Sequence, residues 1–289
     1  MNPLISVVIP TFNREKVLKR AIDSVVSQTY DNWELILVDN SSTDNTNNLV
    51  HSYKNPNIKL TSIDNDGVIG LSRNVGIHNS NGYLIAFLDS DDWWHSTKLE
   101  SILNKFDDKV DIIYHDCFIV TDSSKRLTNC RILKDDVLSD LIENGNTLVN
   151  SSVVVKKQSL QEVGCFSEEK EVVGWEDYHL WLKLAENNCV FNKIKGGLGY
   201  CWQGGDNFDS PERTLINIEQ IKKCFDSKYS NYLSVQYAWW TNYAKGKAHM
   251  QLGNKTKSRI EFSSLLIRRA PLMYKIKSLY YLLRMVLYV

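Results

Sequence analysis

The chain opens with the apolar, β-branched run Ile5-Ser-Val-Val-Ile9, and the turn Pro10-Thr-Phe-Asn13 follows it directly. A short run of this kind predicts a strand that is buried on both faces, as in a parallel sheet. From Arg14 to Gln28, apolar residues recur at intervals of three and four, which predicts a helix that packs back over the strand. The start of the chain therefore predicts a strand–helix unit of an α/β fold.

The same alternation continues through the acidic stretch near residue 92. Further strands are predicted over Trp33 to Val38, Ile58 to Ile63 and Tyr83 to Leu88, with helices that begin near Ser42 and span Ser72 to Ser80. Such alternation implies a doubly wound, mostly parallel sheet, whose ligands bind beyond the carboxyl ends of the strands. The polar residues at those ends are site candidates, namely Pro10-Thr11, Asp39-Asn40 and Asp89-Ser90-Asp91-Asp92.

The second half of the chain is less regular. Strands are predicted over Asp111 to Asp116 and Leu148 to Val155. From Pro211 the pattern becomes helical, with further helices predicted over Tyr232 to Leu252 and Lys255 to Ile267. We therefore expect an α/β region over residues 1–210 and a helical appendage over 211–289.

The amino-acid composition indicates which kinds of binding partner and which cellular compartment to expect. Lys and Arg number 34, as do Asp and Glu, so the net charge gives no argument for a nucleic-acid partner. The six cysteines show no Cys-x-x-Cys spacing, which favours a reducing compartment. The start has no basic region, and its apolar run ends at Pro10, so we expect neither a signal peptide nor a membrane span there. These features predict a cytoplasmic protein.

The acidic cluster after Leu88 carries the strongest chemical signal. Three carboxylates in four residues repel one another unless a cation lies among them, and hard oxygen ligands select Mg²⁺ or Mn²⁺. The same residues also suit a solvated acidic turn that caps a helix near Ser96. Spacing alone leaves both interpretations open.

Four further candidates each have a functional and a structural interpretation. Asp39 could accept a hydrogen bond from a nucleobase or ribose, or could form an Asx turn. Arg73 could face an anion at a helix start, or could be a surface arginine. Asp177, after Glu176, could accept a proton from an attacking hydroxyl, or both acids could cap a helix. Trp175 could stack on a sugar or belong to the core.

Taken together, the motifs resemble those of glycosyltransferase family two, which has the GT-A fold. The resemblance covers roughly residues 4 to 208 and rests on six motifs in order: Ser6-Val-Val-Ile-Pro-Thr-Phe-Asn-Arg14, Val38-Asp-Asn-Ser-Ser-Thr-Asp44, Asn65-Asp-Gly67, Ser72-Arg-Asn-Val-Gly76, Phe87-Leu-Asp-Ser-Asp-Asp92 and Gly174-Trp-Glu-Asp177. Within residues 1–210, the resemblance implies a nucleotide-binding half over 1–92 and an acceptor half over 93–210.

The resemblance also assigns site residues. It implies a nucleotide site formed by Pro10, Thr11, Asn13, Asp39, Asn65, Arg73, Asp89 and Ser90. It implies that Asp91, with Asp89, binds Mn²⁺ or Mg²⁺ and that Asp177 is the catalytic base, supported by Glu176. Trp175, Trp202 and Gln203 are expected at the acceptor. Gln203 is a departure, because many members have a metal-binding histidine at this position, and an amide is a poorer ligand for the softer metals.

The implied activity is that of an inverting hexosyl- or hexosaminyltransferase. A sugar from a nucleotide diphosphate donor, expected to be a UDP-sugar, would pass to a hydroxyl of a glycan or lipid-linked acceptor in bacterial-type surface polysaccharide synthesis. The metal and Arg73 would offset charge on the leaving diphosphate. A nucleotidyltransferase is an alternative, although Pro10 to Arg14 contains no glycine. A non-catalytic nucleotide-sugar-binding protein is another.

The tail over residues 268–289 is basic and amphipathic. No acid follows Glu261, and after Pro271 apolar residues recur at intervals of three and four, while Tyr274, Tyr280, Tyr281 and Tyr288 add amphipathic rings. The tail is too charged to span a bilayer, which needs about 20 predominantly apolar residues. It suits a helix at the surface of an anionic membrane, which would make the protein peripheral at the cytoplasmic face. Packing on the catalytic domain or on a partner is the alternative.

Overall fold

The computed structural model describes residues 2–204, 210–229 and 238–287, and the chain forms two compact units. The first unit comprises Met1–Leu133, Thr147–Lys170 and Glu176–Asp206. The second comprises Lys134–Asn146, Glu171–Trp175 and Asn207–Val289. The expected boundary at residue 210 thus differs from the structure in two short segments, which join the C-terminal helices although they precede them in sequence.

The first unit is built on one sheet of nine strands. In chain order these are β1 (Ile5–Thr11), β2 (Trp33–Asp39), β3 (Ile58–Ser62), β4 (Leu84–Phe87), β5 (Trp93–Trp94), β6 (Ile112–Val120), β7 (Lys125–Leu127), β8 (Val154–Lys156) and β9 (Phe191–Trp202). Their order in the sheet is β3-β2-β1-β4-β8-β6-β9-β5, and β7 pairs with β6. The four strands predicted before residue 92 are confirmed, and they lie together.

The sheet changes character beyond β4. Strands β3, β2, β1 and β4 are parallel, whereas β8 is antiparallel to both β4 and β6. The prediction of one strand from Leu148 to Val155 is wrong in its first part, because Asn150–Ser152 form a 3₁₀ turn and β8 begins only at Val154. Polar side chains of that turn form hydrogen bonds with the loop Asp89 to Asp92 after β4, which we call the acidic loop. The turn therefore does not continue the strand.

Eleven α-helices lie in the described parts of the chain. They are α1 (Leu18–Val26), α2 (Thr46–Ser52), α3 (Ile69–His78), α4 (Lys98–Leu103), α5 (Val137–Asn144), α6 (Lys157–Glu162), α7 (Glu176–Glu186), α8 (Pro211–Tyr229), α9 (Trp239–Gln251), α10 (Lys255–Ile267) and α11 (Leu272–Leu287). Helices α5 and α8 to α11 belong to the second unit. Helix α1 is shorter than predicted, because Arg14 starts a turn that leads into it.

Both faces of the parallel strands are covered by helices, as the alternation predicts. On one face, alternate β1 residues such as Val7 share a core with Leu18 and Ile22 of α1. On the other face, α3 approaches β1 so closely that a Cβ atom on Gly76 would lie 2.4 Å from Val8 Cγ1. The apolar run that starts the chain is therefore a central, doubly covered strand.

The second unit is an all-helical packing of its own. Ile218, Ile221 and Phe225 of α8 are buried, as are Phe262 and Leu265 of α10. The helix predicted over Lys255 to Ile267 is confirmed. The helix predicted from Tyr232 is described only from Trp239, since residues 232–237 lie outside the described ranges. Of the helices described, none is long and apolar enough to cross a membrane.

Candidate functional site

Asp92, the last residue of the acidic loop after β4, fixes the loop through hydrogen bonds. Asp92 is buried, and its carboxylate accepts hydrogen bonds from Ser151 Oγ at 2.6 Å and from the Trp202 N–H at 2.9 Å. Burial and the charges of Asp89 and Asp91 together raise the pKa of Asp92 to about 7, although the hydrogen bonds from Ser151 and Trp202 oppose the rise. Asp92 therefore holds the loop in place.

Asp89 lies where two polar side chains converge. Its Oδ1 accepts hydrogen bonds from Arg73 at 2.8 Å and from Asn150 Nδ2 at 3.0 Å, and its backbone N–H donates to Ser151 Oγ. The side chain remains 33% exposed. One carboxylate oxygen is thus fixed by the protein, and the exposure leaves room for a ligand at the other.

Arg73 joins two motifs that are far apart in sequence. Its guanidinium is 3% exposed, and it pairs with Asp89 and, at 2.5 Å, with Glu176 Oε1 across a separation of 103 residues. Burial opposes the charge on Arg73, but the two carboxylates outweigh burial and raise its pKa above the ordinary value. The structure therefore excludes a surface arginine and makes Arg73 a permanently charged bridge between the acidic loop and α7.

Asp177 follows Glu176 in the first turn of α7 and has different surroundings. Its Oδ1 accepts the Tyr178 N–H at 2.6 Å. Burial and the charge of Glu176 raise the pKa of Asp177 to about 7, although the charge of Arg73 opposes the rise. A carboxylate with a pKa near neutrality is a better proton acceptor than an ordinary one. Glu176 is thus used in an ion pair, whereas Asp177 is suited to general base chemistry.

Asp91 is the remaining acid of the loop. Burial and then the charge of Asp89 raise its pKa, while Arg14 and Arg20 lower it. Arg20 also fixes the loop by donating to the Asp91 carbonyl at 2.8 Å while it stacks over Trp93, 3.6 Å from the ring centroid. A cation beside Asp89 and Asp91 would relieve this repulsion between carboxylates.

The donor set of this loop fits a hard cation. In the residues that the structure describes, no three His, Cys, Asp or Glu side chains could hold a metal together. Mg²⁺ is usually bound through one or two carboxylates plus substrate phosphates and water, rather than by a protein cage. Two aspartates next to a diphosphate would therefore suffice for Mg²⁺ or Mn²⁺.

The candidates at the ends of β1 and β2 form a network of turns. Asp39 is fully buried, and its two carboxylate oxygens accept hydrogen bonds from Ser42, one from the backbone N–H at 3.0 Å and one from the hydroxyl. The structural interpretation, an Asx turn, is therefore present. Asn13, at φ 50°, accepts the Thr43 N–H at 2.9 Å. The nucleotide roles of Asp39 and Asn13 remain predictions.

The other nucleotide candidates lie in the same unit. Pro10 and Thr11 end β1, and Thr11 Oγ1 is buried without a hydrogen-bond partner in the described part of the chain. Asn65 is buried, accepts the Gly67 N–H at 2.9 Å and donates to Ser72 at the start of α3. Ser90 is buried within the acidic loop.

The three acceptor candidates fall in different units. Trp202 and Gln203 belong to the first unit, where Gln203 is exposed and its N–H donates to the Val120 carbonyl at 2.8 Å. Trp175 belongs to the second unit, where its ring lies 5.7 Å from that of Trp240. The metal role of Gln203 stays a prediction.

The sequence motifs do not predict three residues that contact the acidic loop. Asn150 and Ser151 bind Asp89 and Asp92, and Arg20 binds the Asp91 carbonyl. Arg20 lies in an ordinary amphipathic helix, so its sequence gives no signal. The polar triplet Asn150-Ser-Ser within an otherwise apolar strand pattern was the available signal.

Comparison with known proteins gives a family match. The model of Glycosyl transferase family 2 matches residues 6–155, which is more than half of the chain. A relative from Escherichia coli, UDP-Glc:alpha-D-GlcNAc-diphosphoundecaprenol beta-1,3-glucosyltransferase WfgD, is 30% identical over 196 residues, or 65% of this chain and 72% of the relative. The chain spans only 27% to 61% of the uncharacterized glycosyltransferases of Rickettsia species that it also matches.

Solved structures match nearly the whole chain at low sequence identity. S. aureus TarS 1-349 in complex with UDP-GlcNAc has a TM-score of 0.62 at 18% identity, over 97% of this chain and 90% of that one. The mannosyltransferase PcManGT from Pyrobaculum calidifontis, in complex with GDP-Man and Mn²⁺, has a TM-score of 0.60 at 15% identity, over 99% and 81%. These similarities concern the fold.

Proposed function

Because this chain belongs to glycosyl transferase family 2 and has the GT-A fold, we propose that it is an inverting, metal-dependent glycosyltransferase. The donor is a nucleotide diphosphate sugar, specifically a UDP-sugar, and the transferred group is a hexosyl or hexosaminyl unit. The acceptor is a hydroxyl of a glycan or lipid-linked sugar in the synthesis of a bacterial-type surface polysaccharide.

One observation supports this proposal above the others, namely the bridge that Arg73 makes between Asp89 and Glu176. A displacement at a sugar needs the leaving diphosphate and the proton acceptor on opposite sides of one carbon. The bridge fixes the acidic loop, where the diphosphate would bind, relative to the helix that carries Asp177. A merely structural acidic turn would not need a buried arginine connected to a second acidic motif.

The roles of the residues follow from their surroundings. Asp177 takes the proton of the attacking acceptor hydroxyl, since its pKa is raised to about 7. Both ends of the Arg73 guanidinium already face carboxylates, so Arg73 positions the two motifs more than it neutralises the diphosphate. A single displacement with Asp177 on the face opposite the leaving group inverts the anomeric centre.

Asp91 and Asp89 would hold Mn²⁺ or Mg²⁺ in this proposal. The bound cation would supply the positive charge that stabilises the departing diphosphate. The positions of Asp89 and Asp91 support this assignment, because two carboxylates close together in one loop repel each other, and a cation bound between them would offset that repulsion. A structural neighbour in complex with GDP-Man and Mn²⁺ is consistent with it.

A relative supports the choice of substrates. Its name gives UDP-glucose as the donor and an N-acetylglucosamine linked to diphosphoundecaprenol as the acceptor. A structural neighbour was solved with UDP-GlcNAc. We therefore include UDP-glucose and UDP-N-acetylglucosamine among the donors to be tested, with a lipid-diphosphate-linked N-acetylglucosamine as the first acceptor.

Transfer of a radiolabelled sugar to that acceptor tests the proposed function. Wild-type protein with Mn²⁺ should form product whose new linkage has the anomeric configuration opposite to that of the donor. Asp91→Ala should remove nearly all transfer, whereas the matched control Asp122→Ala, an exposed aspartate in the turn between β6 and β7, should not. Product with the donor's own configuration would contradict the inverting mechanism, and an active Asp91→Ala would contradict the metal assignment.

Helix α11 supports a membrane-surface location. Tyr281 stacks on Phe262 of α10 and Met285 is buried, so one side of α11 packs within the second unit. The opposite side exposes apolar residues: Leu272, Met273, Ile276, Leu279, Leu283, Val286 and Leu287. With 3.6 residues per turn, Lys275 and Arg284 flank this strip on either side. An apolar strip with basic flanks is the pattern of a helix that lies in the interface of an anionic membrane.

Co-sedimentation with lipid vesicles tests this location. Full-length protein should bind phosphatidylglycerol vesicles at low salt and should bind phosphatidylcholine vesicles more weakly. The double variant Leu279→Ser, Leu283→Ser should lose binding but keep transfer to a soluble acceptor, while Ile132→Ser, at an exposed isoleucine of the first unit, should bind normally. Wild-type protein that ignores anionic vesicles would contradict the membrane location but not the transferase activity.

A further inference from the structure

Asn150 has an amide that is only half satisfied. The residue is 6% exposed and begins the 3₁₀ turn just before β8. Its Nδ2 donates to Asp89 Oδ1 at 3.0 Å. Its Oδ1 is buried and accepts no hydrogen bond from any residue that the structure describes. A buried polar atom without a partner is unusual and calls for a ligand or a functional explanation.

The orientation of this amide follows from chemistry. Asn side chains can be turned over without changing shape, but turning Asn150 over would place Oδ1 against the carboxylate oxygen of Asp89. Two acceptors would then face each other. Asp89 itself is held in place by Arg73 at 2.8 Å, so the amide nitrogen must face Asp89, and Oδ1 is left as an acceptor next to the acidic loop.

The sheet order shows on which side of the loop Asn150 lies. Strand β4, which leads into Asp89, has β1 on one side and β8 on the other. The nucleotide candidates Thr11 and Asp39 end β1 and β2, whereas Asn150 approaches from β8. In a nucleotide diphosphate sugar, the sugar and the nucleoside lie at opposite ends of the diphosphate. With the diphosphate at the loop, Asn150 is on the side of the sugar.

We infer that Asn150 is a donor-binding residue whose Oδ1 accepts a hydrogen bond from a hydroxyl of the donor sugar, while its Nδ2 positions Asp89. This inference rests on the proposed function. It adds a sugar-contacting residue to a site whose other candidates address the nucleotide, the metal and the acceptor. It predicts that Asn150 distinguishes a nucleotide sugar from the nucleotide alone.

Calorimetric binding of UDP and of UDP-sugars, with Mn²⁺ present, tests the inference. UDP-glucose, UDP-galactose and UDP-N-acetylglucosamine are measured with the wild type, and the tightest binder is carried forward. Asn150→Ala and Asn150→Ser should weaken binding of that UDP-sugar by about 2- to 12-fold more than binding of UDP, the ratio expected for one neutral hydrogen bond. Having two variants guards against misfolding of either one.

Ser151→Ala is the matched control. Ser151 neighbours Asn150 and holds the same loop through Asp92 and the Asp89 N–H. Because it acts only on the loop, its loss should change binding of UDP and of the UDP-sugar by the same factor. Equal losses for both ligands in the Asn150 variants would overturn the inference and leave Asn150 as a positioning residue, whereas no loss for either ligand would overturn both roles. Wild-type protein that binds no uridine nucleotide would instead overturn the proposed donor.

Discussion

Glu176 and Asp177 are neighbours in sequence, yet their carboxylates have different surroundings. Glu176 pairs with the buried Arg73, whereas Asp177 accepts only the Tyr178 N–H in the described structure and has its pKa raised to about 7. An ion pair stabilises the charged form of a carboxylate and makes it a poor base. The two carboxylates therefore differ because Glu176, and not Asp177, forms the ion pair with Arg73.

Asp177→Asn should remove the proton acceptor while it keeps the shape of the site. We expect kcat to fall by about 10² to 10⁴, the usual contribution of a general base, with little change in donor KM. Glu176→Gln is the comparison, because it weakens the bridge to Arg73 and should affect donor KM and thermal stability as well. Steady-state kinetics with varied donor measure both. Near-normal turnover in Asp177→Asn would place the base at another residue.

The pH dependence of kcat/KM offers a second test at this residue. Asp177 must be deprotonated to act as a base, and burial beside Glu176 raises its pKa to about 7 despite the opposing charge of Arg73. The rate should therefore rise with pH and level off above about 7, because kcat/KM reports the free enzyme. Asp92 also has a pKa raised to about 7. If kcat/KM of Asp177→Asn still rises with pH in the same range, the titrating group is another residue, such as Asp92.

At the scale of elements, the contact between α3 and β1 places Arg73 and depends on a glycine. A Cβ atom on Gly76 would lie 2.4 Å from Val8 Cγ1, at the centre of the parallel strands. Helix α3 also carries Arg73, so any retreat of the helix from β1 would move the guanidinium away from Asp89. The close approach of helix and strand is therefore part of how the site is built.

Gly76→Ala should destabilise the protein, although alanine favours helices by up to about 1 kcal/mol over glycine. Overpacking of a filled core costs about 1–3 kcal/mol, and here the added methyl meets a central strand. Urea unfolding of Gly76→Ala, Val8→Ala and the double variant gives the coupling between the two sites. The double variant should lose less free energy of unfolding than the two single variants lose in total. A stabilised Gly76→Ala would show that α3 has room beside β1.

At the scale of the whole molecule, all the expected nucleotide and metal residues lie in the first unit, while the exposed apolar strip lies on α11 of the second. The chain thus separates donor chemistry from the proposed membrane contact. The acceptor candidates are divided between the units, with Trp202 and Gln203 in the first and Trp175 in the second.

Ligand binding in the first unit should raise the thermal unfolding midpoint. A ligand at 100 times its Kd stabilises the native state by about 2.7 kcal/mol, and each kcal/mol shifts the midpoint by about 2–4 °C in a domain of this size. UDP with Mn²⁺ should therefore give a shift of about 5–10 °C. Chelator or Asp91→Ala should remove most of it. An equal shift of the unfolding midpoint in the presence of chelator would show that UDP binds without the metal ion.

Much of the fold could be predicted because burial leaves a local periodic pattern. The run Ile5 to Ile9, the helix that follows and the strand before Asp89 each show it, and the structure confirms them. The turn at Asn150–Ser152 could not be recognised, because its conformation depends on side chains that bind the acidic loop about 60 residues away, as the separation of 61 between Asn150 and Asp89 shows.

The α/β architecture, the order of the motifs and the residues able to do chemistry could be predicted from the amino-acid sequence, because apolar periodicity and residue type are local properties. The tertiary structure decided which of these polar groups meet. The three acids of one loop have three different surroundings: Asp92 accepts hydrogen bonds that hold the loop, Asp89 is paired with Arg73, and Asp91 lies near Asp89, whose charge helps to raise its pKa. Hydrogen bonds and ion pairs depend on distances between segments far apart in the chain, and only the folded packing sets those distances.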